Sequence, residues 1–274
     1  MIIVANGCSF IQGVELSDSS KTYPALLSRN HTYYSVATTG ASNQAIARTT
    51  IDACEVYSPD FVFVQWTFPD RYEFRFSFDT GRRKSPWHDV NIWAIDDRKN
   101  LIDEQEFEIQ DVTFSQESRS GVSDFAEQFF RSVAQESYWQ VYSTLKEIVY
   151  LQNYLLVHRI PYLFTAADNI IVNNRIIEEN TSGRKKSIPK GFTEWEIPNS
   201  EKKTDITIRS LYNAIDFGKF YWWPMDDAKQ PRGFYQWAVE NKYSVGKHFH
   251  PLDEAHYRAA ELIQETFNVH SGMG

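Results

Sequence analysis

The sequence predicts an α/β domain with a mainly parallel central sheet. Two observations carry that expectation. Short β-branched or aromatic runs recur along the chain, and the segments between several of them carry apolar residues at three- and four-residue spacing, so strands alternate with helices. Such sheets bind ligands at the carboxyl ends of their strands.

The first run, Met1 to Ala5, stops at Asn6-Gly7, the pattern of a buried strand entering a turn. Tyr23 to Leu27 reads as a short helix, Tyr33 to Val36 as a strand, and Ser42 to Tyr57 as a helix with Ala45, Ile46, Thr49 and Ala53 on one face. Phe61 to Trp66 is a third buried strand. From Thr67 to about Glu136 the periodicity fails, and the polar segment reads as an insertion over the sheet. Helical spacing returns at Ser137 to His158 through Val141, Leu145, Ile148, Gln152 and Leu155, and Pro161 to Thr165 supplies a fourth strand. A second irregular stretch covers 168–203. Helices follow near Asp205 to Ile215 and from Gly233 to Asn241. The last helix places Pro251 in its first turn, with Leu252, Ala255, Ala259, Leu262, Ile263 and Phe267 along one side. One domain spanning 1–274 with insertions at about 67–136 and 168–203 is the expected organisation.

Composition narrows the function. With 42% hydrophobic and 23% charged residues the chain can bury an ordinary core. A formal net charge of −8 opposes a nucleic-acid surface, and the one basic run, Arg82-Arg83-Lys84, reads as a solvated loop. Cys8 and Cys54 give no disulfide framework, and no signal peptide or membrane-spanning stretch is visible. A cytoplasmic protein, or a component of a virus particle assembled there, is the expected setting.

Two segments hold the residues suited to chemistry. Asn6-Gly7-Cys8-Ser9-Phe10-Ile11-Gln12-Gly13 puts a serine on a glycine-flanked turn directly after the first strand, where a hydroxyl stands near backbone N–H groups. Taken alone, such a serine is more often a plain loop residue. Near the other end, Lys247-His248-Phe249-His250-Pro251-Leu252-Asp253-Glu254-Ala255-His256 sets a histidine on a defined loop, and a serine needs such a base to become nucleophilic at neutral pH. His256 reads as a packing or capping residue.

In that order the two blocks resemble the SGNH/GDSL hydrolase family, particularly divergent phage and marine-microbial members whose first block reads N-G-x-S-F-x-x-G and whose last reads H-P-x-x-x-x-H. The resemblance implies a flavodoxin-like three-layer sandwich, Ser9 as nucleophile and His250 as base. Thr39-Gly40-Ala41-Ser42-Asn43 matches the family's second block, which implies Gly40 as a backbone oxyanion donor. The sequence departs from the pattern at three places. Trp66-Thr67-Phe68-Pro69-Asp70 lacks the third-block Asn, for which Asn43 is the expected substitute. Lys247 and His248 stand where the triad acid usually lies, leaving Asp226, Asp227 and Asp253 as carboxylates near in sequence. Cys8 replaces the first-block Asp.

The expected activity is hydrolysis or transfer of an acyl ester, an acetyl group on a carbohydrate above all, with a small-molecule or glycan ester as partner and no cofactor. The aromatic fraction of 15%, including Trp87, Trp93, Trp195, Trp222 and Trp223, suits stacking on sugar rings wherever such residues are exposed. Arg71 and Glu73 follow the third strand and read as a surface ion pair. A metal site at His248, His250, Asp253 and His256 lacks ligands of fixed spacing from a second segment. The rival reading is a catalytically reduced member of the same fold serving as a binding or structural module, for instance in a virus particle, since fold does not fix function.

Overall fold

The computed structural model describes residues 1–75, 87–91, 125–134, 137–168, 206–224 and 232–272. Its strands are β1 (Ile2–Asn6), β2 (Thr32–Ser35), β3 (Phe61–Trp66), β4 (Arg71–Arg75), β5 (Trp87–Asn91) and β6 (Tyr162–Ala166). Its helices are α1 (Ser9–Gln12), α2 (Tyr23–Leu27), α3 (Asn43–Tyr57), α4 (Ser137–Val157), α5 (Ile206–Ala214), α6 (Phe234–Glu240) and α7 (Asp253–Ser271).

The central sheet has the order β2-β1-β3-β6 and every pairing in it is parallel. Strand alternation sorts the core into two layers. Val4, Val62, Val64, Trp66 and Phe164 face α3, α4 and α5, while Ile3, Ala5, Phe61, Phe63 and Leu163 face α2, α6 and α7. Both faces are covered, so β3 reads as an unbroken apolar run with all six residues buried. This is the three-layer α/β sandwich expected from the alternation of elements. In the strand order 2-1-3 the chain leaves β1 toward one edge and β3 toward the other, so the crevice beyond the ends of β1 and β3 is the natural ligand site.

Two differences from the sequence reading bear on function. The segment after Trp66 is not wholly irregular: β4 and β5 form an antiparallel pair, and Tyr72 packs opposite Val90 in a small third core with Ala126, Phe130 and Ala134. Pro251 lies outside the last helix, which is capped at Leu252; Pro251 instead bridges Val245 and helps close a loop that ends at His250. Trp93, Trp195, Asp226 and Asp227 lie outside the described residues. Among the described residues no helix is long and apolar enough to cross a membrane.

Candidate functional site

β1 ends at Asn6, whose side chain is saturated: Nδ2 donates to Ile46 O, Thr49 Oγ1 and Thr50 Oγ1 on α3, and Oδ1 accepts from the Gly7 N–H at 2.7 Å. This locks the strand end against α3. Gly7 has no room for a side chain, since a Cβ there would lie 2.6 Å from Ile11 Cγ1. Cys8 is fully buried and caps α1 through its carbonyl, which accepts from Ile11 and Gln12, so an apolar residue suits the position. Ser9 then opens α1. Neither its hydroxyl nor its N–H has a hydrogen-bond partner among the described residues.

The loop carrying Gly40 is strapped to this turn. Thr38 N–H donates to Gly7 O at 3.2 Å, and the Thr39 hydroxyl donates to Gln12 Oε1. Ala41 N–H closes a turn onto Thr38 O with Gly40 at φ +76°, the position of a type II turn that requires φ > 0. Gly40 is therefore needed for backbone conformation, not for space, because a Cβ there would meet nothing within 4 Å.

His250 comes from the loop before α7. Its Nδ1 lies 2.6 Å from Glu15 Oε2, and its ring stands edge-on to Phe10, the residue after Ser9, with centroids 5.5 Å apart. A carboxylate only accepts, so Nδ1 donates to it, and in the neutral ring the lone pair lies on Nε2. Glu15 is held on two more sides: His248 N–H lies 3.1 Å from each carboxylate oxygen. Gly246 makes room for it, since a Cβ there would come within 2.5 Å of the carboxylate. Partial burial pushes the Glu15 carboxyl up, but the bonds from His250 and His248 outweigh it and hold the group below the usual range. Both flanks of this contact are in left-handed backbone, with Glu15 at φ +66° and Phe249 at φ +63°, a conformation that is uncommon for non-glycine residues.

Glu15 is the carboxylate partner of His250 that sequence reasoning missed. Of the carboxylates considered instead, Asp226 and Asp227 lie outside the described residues, and Asp253 is engaged by other partners. Asp253 accepts from Ser17 N–H at 3.1 Å and Ser17 Oγ at 2.6 Å and pairs with Lys21 Nζ at 2.7 Å, contacts that pull its carboxyl down to about 2. It thus ties α7 to the loop that carries Glu15. The one sequence signal was a charged residue two places beyond Gly13, with no helical or strand pattern to explain it.

Asn43 does not turn its amide to an oxyanion. Nδ2 donates to Thr67 O and Thr144 Oγ1, each at 3.2 Å, and Oδ1 accepts Thr67 N–H at 2.9 Å. It clamps the end of β3 to α3 and α4, while Ser42, whose hydroxyl accepts Ala45 N–H, caps the helix. The expected Arg71–Glu73 ion pair is also absent: Arg48 takes Glu73 through Nε at 2.8 Å and Nη2 at 2.6 Å. Trp223 is buried in the core, whereas Trp87 is partly exposed with the Arg48 guanidinium over its ring. No group of three or more His, Cys, Asp or Glu among the described residues is arranged to hold a metal ion.

His256 is fully buried, stacked on Tyr23 with ring centroids 5.7 Å apart, and its Nδ1 accepts Tyr23 N–H at 3.1 Å. Burial keeps it neutral, with its pKa pushed down from 6.5 to about 3. The unfolded chain protonates this residue near its ordinary pKa, so the stability it contributes is full above about pH 6.5 and is lost as pH falls toward 3. Asp89 acts oppositely. Burial raises its carboxyl to about 6, so its contribution is present below about pH 3.9 and lost as pH rises through 6. Subtracting the urea-unfolding stability of His256→Gln from that of wild type at each pH isolates the histidine. The difference is expected to fall by roughly 3 kcal/mol between pH 7 and pH 4; a pH-independent difference contradicts a neutral buried His256.

No family model matches the chain, and no curated protein matches it. Among solved structures it is similar to the psychrotrophic esterase EstA from Pseudoalteromonas sp., inhibited there by monoethylphosphonate, at 10% identity and a TM-score of 0.40 over 98% of this chain and 95% of that one. It is similar also to a lipolytic protein of the G-D-S-L family from Desulfitobacterium hafniense, at 10% identity and a TM-score of 0.42 over 96% and 98%. TesA is a third, at 9% identity and a TM-score of 0.41 over 97% of each chain.

Proposed function

We propose that this protein is a serine-dependent ester hydrolase with Ser9 as nucleophile, His250 as base and Glu15 as the acid that orients the base. The observation that carries the reading is the 2.6 Å contact between His250 Nδ1 and Glu15, which leaves Nε2 free on a ring packed beside the first turn of α1. Ser9 Oγ attacks the acyl carbon and its proton passes to His250 Nε2. The carbonyl oxygen becomes an oxyanion, received by the N–H groups of Ser9 and Gly40. The alcohol leaves with the proton from His250, and water, activated by the same nitrogen, releases the acid and restores Ser9. The chemistry needs no cofactor.

The finer assignment, removal of acetyl groups from a carbohydrate, rests on the sequence motifs of the divergent SGNH type and on the aromatic content. A purely structural role, as in a virus particle, rests on the missing triad acid and the missing third-block Asn; the Glu15–His250 contact weighs against the first of these. The test is covalent labelling: incubation with diethyl 4-nitrophenyl phosphate followed by peptide mapping is expected to place one diethylphosphoryl group on Ser9. Labelling elsewhere, or none, overturns the nucleophile assignment.

A further inference from the structure

The end of β3 delivers an arginine to the same crevice without supplying an acid for it. Arg71 Nη1 donates to Thr67 Oγ1 at 3.1 Å, and its guanidinium carbon lies 4.9 Å from the ring centre of Phe68. Phe68 meets Phe10 edge-on at 6.5 Å, and Phe10 meets His250 at 5.5 Å. A continuous row of rings therefore leads from the proposed base to the guanidinium.

Neighbouring carboxylates make their hydrogen bonds elsewhere, although Asp89 lies near enough to feel the Arg71 charge. Glu73 is held by Arg48 through two bonds, Asp89 accepts the Ser42 N–H at 2.9 Å, and Asp70, next in the chain, makes no ion pair with Arg71 and keeps its own buried Oδ1 unpartnered. Arg71 Nε is buried with no acceptor among the described residues. A guanidinium stays charged at any physiological pH, an unmade hydrogen bond on it is costly, and its planar fork matches a carboxylate through two parallel bonds.

We infer that the substrate is an ester carrying a carboxylate, which Arg71 binds at the carboxyl end of β3. The inference rests on the ester-hydrolase reading and names the substrate class of that site. The carboxylate belongs either to the acyl part or to the alcohol part, and two matched pairs distinguish them: mono-4-nitrophenyl glutarate against 4-nitrophenyl pentanoate, and 4-acetoxybenzoate against 4-acetoxybenzamide.

For wild type, the anionic member of one pair is expected to show a kcat/KM at least about 10-fold above its neutral partner, mainly through a lower KM. In Arg71→Gln that ratio is expected to fall to near one, and in Arg71→Lys to recover in part, because charge returns without the planar fork. No preference in either pair, or a preference that survives Arg71→Gln, overturns the inference. Should wild type turn over none of the four esters, the hydrolase reading fails, and the carboxylate site is then decided by sodium benzoate. A rise in the melting temperature of wild type that is lost in Arg71→Gln supports the site, and no rise overturns it.

Discussion

Glu15→Gln is expected to lower kcat/KM on an aryl acetate by about 10³- to 10⁴-fold while leaving the protein folded, the scale reached when the acid of a serine hydrolase is neutralised in place. The carboxylate receives three N–H contacts, from His250 Nδ1 and from His248 N to both oxygens. An amide cannot accept at both oxygens. Wherever its NH₂ goes it faces a donor, and the imidazole is driven toward the tautomer that holds its proton on Nε2, where it cannot take one from Ser9. Circular dichroism and a melting curve check the fold, and steady-state kinetics read the effect. Asp253→Asn is the control. It loosens the tie between α7 and Ser17, so it is expected to lower stability more than turnover. If Asp253→Asn abolishes turnover in folded protein while Glu15→Gln does not, the acid has been misassigned.

The Ser9→Ala and His250→Ala variants carry the other large effect. Each is expected to remove at least about 10³-fold of turnover, and the double variant to be no slower than the worse single one, because members of one catalytic unit act together. The side chain of Ser9 makes no hydrogen bond among the described residues, so its removal leaves no buried partner stranded and the fold should survive. Additive losses in the double variant would mean that the two residues do not act on one proton, and the pairing proposed between them would be abandoned.

How much of this was legible in the sequence depends on how local each feature is. β3 and α3 were readable because each is written in consecutive residues: six buried positions in a row for one, and apolar residues at a period near four for the other. The turns that carry Ser9 and Gly40 were readable because glycines directly after a strand announce a turn. The Glu15–His250 contact was not, because it joins positions 235 apart and rests on a left-handed backbone that no local pattern encodes. Asn43 was misread for the opposite reason. Its place at a helix start suggested an exposed amide, while the partners that consume it, Thr67 and Thr144, arrive from β3 and α4. The same holds for Arg71 and Glu73, where sequence proximity suggested a pair and α3 supplied a better-placed arginine.

The 235-position separation of the Glu15–His250 contact also has a meaning for the chain as it is made. Translation proceeds at about 5–20 residues per second, so roughly 10 to 50 seconds pass between synthesis of the segment holding Ser9 and Glu15 and synthesis of His250. Throughout that interval the nascent polypeptide holds the Ser9 hydroxyl and the Glu15 carboxylate without His250. On the proposed reading, a chain released before His250 is made cleaves no ester, and activity appears only once segments 235 positions apart have met.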